Sequence, residues 1–168
     1  MSQSTLAISL FLHLVATVVW VGGLVILALL VWPETRRILA SSPALYALLT
    51  RLRARFFPLA NLSLAVLVIT GLSQMTANPY YDGLLTFDNQ WSQAMLFKHL
   101  AFAGMVVAGL LLQFGVAPAL ERASLLAERG KGDPAEWERL RRREVRLTWI
   151  NVALGLLVLA FTAWATAL

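Results

Sequence analysis

Residues 5–32 read TLAISLFLHLVATVVWVGGLVILALLVW, an unbroken apolar run with one ionisable side chain, His13. A helix needs about 20 such residues to cross the hydrocarbon of a bilayer, so this stretch is long enough to span it. Three further stretches match it. Residues 57–75 and 147–168 are uncharged, and residues 91–119 hold only Lys98 and His99 as ionisable groups. The chain as a whole agrees, since 59% of its 168 residues are hydrophobic and 14% charged. Soluble domains carry about 25% charged residues. Disorder, fibrous repeats and, with no Cys, a disulfide scaffold are excluded. Residues 1–5 contain no basic side chain, so the first span reads as a retained helix, not a signal peptide. The fold expected is all-α: a single domain over residues 1–168, built as an integral membrane four-helix bundle.

The charges orient it. Arg36, Arg37, Arg51, Arg53 and Arg55 lie between spans 1 and 2, and eight basic residues from Arg122 to Arg146 lie between spans 3 and 4. Those connections hold 13 of the 14 Lys and Arg, leaving only Lys98, while the connection between spans 2 and 3 has just Asp82 and Asp88. By the positive-inside rule both basic loops are cytoplasmic and both termini lie outside. The excess of positive charge therefore reports topology and attraction to anionic lipid headgroups, and nucleic acid is not the expected partner. The cytoplasmic (inner) membrane of a bacterium is the expected location. A second copy of the chain or a larger membrane complex is the expected protein partner.

The connections carry their own signals. Ser41, Ser42 and Pro43 form a helix start ahead of span 2, and Pro33 is expected to bend or end span 1. Residues 120–146 read as a cytoplasmic helical hairpin turning at Gly130-Lys131-Gly132, with Asp133 as N-cap and Pro134 in the first turn of a helix of about 35 residues. Tyr80, Tyr81 and Phe87 in the outer connection serve either as an interfacial aromatic belt or as a cap over an outward-facing site.

Ionisable groups within the membrane are functional candidates by default. Here they are His13, Lys98 and His99. Spans 1 and 3 run in the same direction, and each histidine lies eight residues from its outer end, at a depth of roughly 12 Å. His99 shares a helix face with Met95, whereas Lys98 lies about 100° away with Trp91, Ala94, Phe102 and Met105, so only one of the two points squarely inward. Two imidazoles at one depth suit haem b, with His13 and either His99 or Lys98 as axial ligands. His13, His99 and the Met95 thioether suit copper, with Met75 as a further soft donor. Alternatively each histidine hydrogen-bonds a backbone or hydroxyl group such as that of Thr17, and the chain is an accessory membrane subunit. Asn61, Gln113 and Asn151 are expected to form a hydrogen-bonded cluster in the cytoplasmic half, with Gln74 nearer the histidines. Soluble-enzyme motifs are absent; catalysis, if any, is that of a haem-dependent membrane oxidoreductase.

Three short patterns carry a family resemblance. Leu12-His13-Leu14-Val15-Ala16 followed by Val19-Trp20-Val21-Gly22-Gly23-Leu24 resembles the first helix of the CopD (copper resistance protein D) family. Trp91 with the Lys98 that follows resembles its third helix, and Arg146-Leu147-Thr148-Trp149-Ile150-Asn151 its last. The resemblance implies copper binding, transport or resistance. More distantly, the chain is similar to HemJ-type protoporphyrinogen oxidases, haem b membrane proteins with a His matching His13 and a Lys matching Lys98. That similarity implies a role for His13 and an inward-facing Lys98.

Overall fold

The computed structural model describes residues 2–39, 44–81, 83 and 88–168. The Ser41, Ser42 and Pro43 helix start, and Asp82 and Phe87 of the outer connection, lie outside the described residues. Four helices are long and apolar enough to cross a membrane: α1 (Gln3–Thr35), α2 (Ala44–Thr76), α3 (Gln90–Ala127) and α4 (Pro134–Ala167). Among the described residues there is no strand. The chain is a multi-pass membrane protein, and large apolar side chains such as Phe11, Val18, Ile69 and Phe114 cover its outer surface. In lipid such a surface has no penalty, because the surroundings are as apolar as the core.

Local chemistry starts each helix. The Ser2 hydroxyl accepts from the Thr5 amide at the start of α1. Asn89 and Ser92 form a reciprocal capping box at α3, with the Asn89 side chain accepting from the Ser92 amide at 2.7 Å. Asp133 caps α4 by accepting from the Ala135 amide at 2.9 Å, and Gly130 takes a positive φ of 69° in the turn before it. The turn at Gly130 leads from α3 into α4, which runs for 34 residues.

Pro33 does not end the first helix, which continues to Leu39. The reason lies just before it. Residues 27–31 widen into a π-helical turn, as do residues 18–22, and α3 widens likewise at residues 111–116. A wide turn reroutes the backbone ladder, so the N–H that proline lacks interrupts nothing further along.

α1 packs along α2, and α3 along α4. The two pairs join through a core of Trp20, Val21, Leu24, Leu67, Met105 and Val152. Trp20 and Phe102 meet edge-to-face with centroids 5.5 Å apart, tying α1 to α3. Gly155 lets α4 approach closely: a Cβ there would lie 3.3 Å from Met105 Cε and 3.4 Å from Val21 Cγ1. The bundle has two ends, one holding the chain termini and the other the basic connections.

The basic end is held by charge. Arg53 of α2 and Arg141 of α4 both bond Glu144, and the Arg141 guanidinium lies over the Trp32 ring of α1. Arg141 is only 3% exposed. Beyond the expected setting of topology and attraction to anionic headgroups, Arg53 and Arg141 tie three helices together.

Candidate functional site in the terminal half of the bundle

The intramembrane histidine of α1 is built into a polar layer between α1 and α2. His13 Nδ1 lies 2.7 Å from Thr70 Oγ1. Thr70 in turn donates its hydroxyl proton to the Val66 carbonyl at 2.6 Å, so towards His13 it can only accept. The hydrogen-bond network therefore assigns the proton of the neutral ring to Nδ1 and leaves the Nε2 lone pair free. One turn nearer the terminal end, Gln74 Nε2 donates to the Ser9 carbonyl at 3.2 Å. Thr17 donates to the His13 carbonyl at 2.8 Å, so its hydroxyl serves the backbone and not the ring. Gly71 gives the ring its space, since a Cβ there would sit 3.4 Å from His13 Cε1.

The rotation of α3 separates the two remaining ionisable residues. Trp91, Ala94, Ala101 and Met105 are buried, which turns the Lys98 face into the bundle. Lys98 is half-buried and within electrostatic reach of His13. His99 is exposed on the outer surface of α3, where Nδ1 donates to the Met95 carbonyl at 2.6 Å. The two histidines therefore do not face each other across one chain. A matched depth, as expected from the sequence, says nothing about rotation.

Above this layer lies an apolar cap. Met75, Trp91, Ala94 and Ala165 form a buried cluster, with Met95 and Tyr81 packed against it. Met75 is one turn beyond Gly71 on α2, and Met95 is nearly one turn beyond Lys98 on α3, both toward the terminal end. Tyr81 joins the cap, while Tyr80 is 51% exposed.

Among the described residues no three His, Cys, Asp or Glu side chains come together as metal ligands. His13, Met75 and Met95 all lie in this half of the bundle, and imidazole and thioether are softer donors than carboxylate. Thr70 and Ser9 were missed in the sequence. The signal was there, since Thr70 and Gln74 share a face of α2 and could have been matched to Ser9 and His13 on α1.

The polar residues of the basic half behave otherwise than expected. Asn61, Gln113 and Asn151 make no hydrogen bonds with one another; all three line a cavity of about 50 Å³. Their amides stand around a space, and π-helical turns at residues 18–22 and 111–116 border the same region.

Fold and polar layer together define a small multi-pass membrane protein with a histidine site between its helices. The family model described as copper resistance protein D (CopD) matches residues 50–165, and the chain belongs to that family. The matched stretch covers most of α2 and nearly all of α3 and α4; His13 precedes it. Neither a curated protein nor a solved structure gives a significant match.

Proposed function

We propose that this protein handles Cu(I) in the membrane, with His13 Nε2 as the ion's nitrogen contact and the Met75 and Met95 thioethers as soft contacts on the way to it. The observation that carries the reading is the hydrogen bond from His13 Nδ1 to Thr70, which leaves Nε2 as a lone pair on a ring held in place. Metal-binding imidazoles are commonly oriented this way through their other nitrogen. Membership of a copper-resistance family supports the choice of ion. Lys98, on the face of α3 that turns into the bundle, opposes a cation bound at His13 whenever its amine is charged. Such opposition suits an ion that is passed on, since conduction requires binding weak enough to permit release. By the positive-inside rule the basic end faces the cytoplasm, so the site is loaded from the outer side of a bacterial inner membrane.

The test is a Cu(I) titration of the detergent-purified protein against bicinchoninate under reducing conditions. His13→Ala is expected to weaken binding by at least about tenfold, the scale of losing a ligand or its support. Met75→Leu with Met95→Leu is expected to weaken it as well, and His99→Ala to leave it unchanged. Wild-type affinity in His13→Ala would overturn the proposal. A Soret band in the protein from its native membrane, lost in His13→Ala, would replace copper with haem b.

A further inference from the structure

A second region of the bundle has the features of a ligand site and plays no part in the copper proposal. In the basic half, the 50 Å³ cavity adjoins another of about 110 Å³, the two sharing Leu24, Phe56, Phe57 and Leu112 as walls. Their lining is mostly apolar, with amide side chains in the smaller cavity and Arg53 and Glu144 at the far end of the larger. An apolar cavity of about 150 Å³ accommodates one benzene ring. The larger cavity, at about 110 Å³, approaches that size, and the smaller one lies across the shared walls from it.

Asn151 is the anchor. It is 1% exposed, it lines the smaller cavity, and its Oδ1 has no partner among the described residues. A buried amide without a partner costs about 1–3 kcal/mol, a cost that an occupant able to pair with it removes. Rotation about χ2 exchanges Oδ1 and Nδ2, so the amide presents either an acceptor or a donor to the cavity. A hydroxyl can answer both. Trp149 lines the larger cavity and Leu110 the smaller, and they are 48% and 46% exposed, so each cavity has a wall residue on the outer apolar surface. A molecule dissolved in the bilayer can enter there without crossing water. All three π-helical turns contribute wall residues (Trp20, Leu27 and Gln113 among them), and such turns recur at functional sites.

We infer that this double cavity binds a lipophilic hydroxylated ring, of the phenol or hydroquinone class, with the ring among Phe56, Phe57 and Leu24 and the hydroxyl on the Asn151 amide. The probes are 4-fluorophenol and 4-fluorotoluene, which differ by a hydroxyl in place of a methyl group. Binding to the full chain in detergent micelles is read by fluorine relaxation, with protein-free micelles as the blank. The phenol is expected to bind saturably and, after correction for micelle partition, about tenfold more tightly than the toluene, the scale of one net hydrogen bond. In Asn151→Leu the preference is expected to fall to near parity while the toluene remains bound. Two results would overturn the inference: no saturable binding of the phenol beyond the blank, which would mean the cavity holds water only, or an unchanged preference in Asn151→Leu. Copper affinity is a separate readout, so loss of either proposal leaves the other standing.

Discussion

Thr70 decides which nitrogen of His13 is free. Its hydroxyl proton is committed to the Val66 carbonyl, and this fixes the neutral ring as the Nδ1–H form. Thr70→Val keeps the side-chain shape and removes the acceptor. The ring then loses both its orientation and its preferred tautomer, and Cu(I) affinity is expected to fall about 10- to 100-fold in the competition titration, with the far-ultraviolet dichroism unchanged. An equal affinity in Thr70→Val would mean that the hydroxyl serves packing alone. Lys98 and His99 show how far residue-level reading reaches. Adjacent positions on a helix differ by about 100°, and the burial of Trp91, Ala94 and Met105 turns Lys98 inward and His99 out.

At the scale of elements, the helices meet at points that side chains would block. Gly155 on α4 faces Met105 of α3 and Val21 of α1, so three helices converge on one missing Cβ. Gly155→Val adds two methyl groups beyond contacts that are already tight. It is expected to lower stability by about 1–3 kcal/mol, the range for overpacked interiors, measured as a fall in the thermal unfolding midpoint in detergent. Helix number, order and the Asp133 cap were readable in the sequence, because apolar runs and capping residues are local signals. The passage of α1 through Pro33 was not. It depends on the wide turn at residues 27–31, which no residue in that stretch announces.

For the whole molecule, the basic end is a joint. Glu144 receives Arg53 from α2 and Arg141 from its own helix, and Arg141 also covers Trp32 of α1. Glu144→Ala takes the carboxylate away from two guanidinium groups, one of them almost fully buried. The loss is expected to be about 3 kcal/mol, seen as a lower unfolding midpoint, because removing one partner of a buried ion pair is costly. An unchanged midpoint would mean that the guanidinium groups find water or lipid headgroups instead. Topology has an equally direct test, since the chain has no Cys. A single Cys introduced as Lys131→Cys is expected to resist a membrane-impermeant maleimide in intact cells, while Ser2→Cys reacts. The reverse pattern would invert the bundle.

Composition, the length of the apolar runs and the sorting of Arg and Lys into two loops were enough to establish a four-helix membrane protein and the short roster of intramembrane ionisable groups. Those are one-dimensional properties, set by what a bilayer tolerates along a helix. Tertiary packing decided the rest: that His13 meets Thr70 and not His99, that Lys98 turns inward, and that Asn61, Gln113 and Asn151 surround a space instead of bonding one another. Each of these depends on the rotation of one helix against its neighbours. That rotation follows from which faces interlock, and faces interlock only when all four helices are in place.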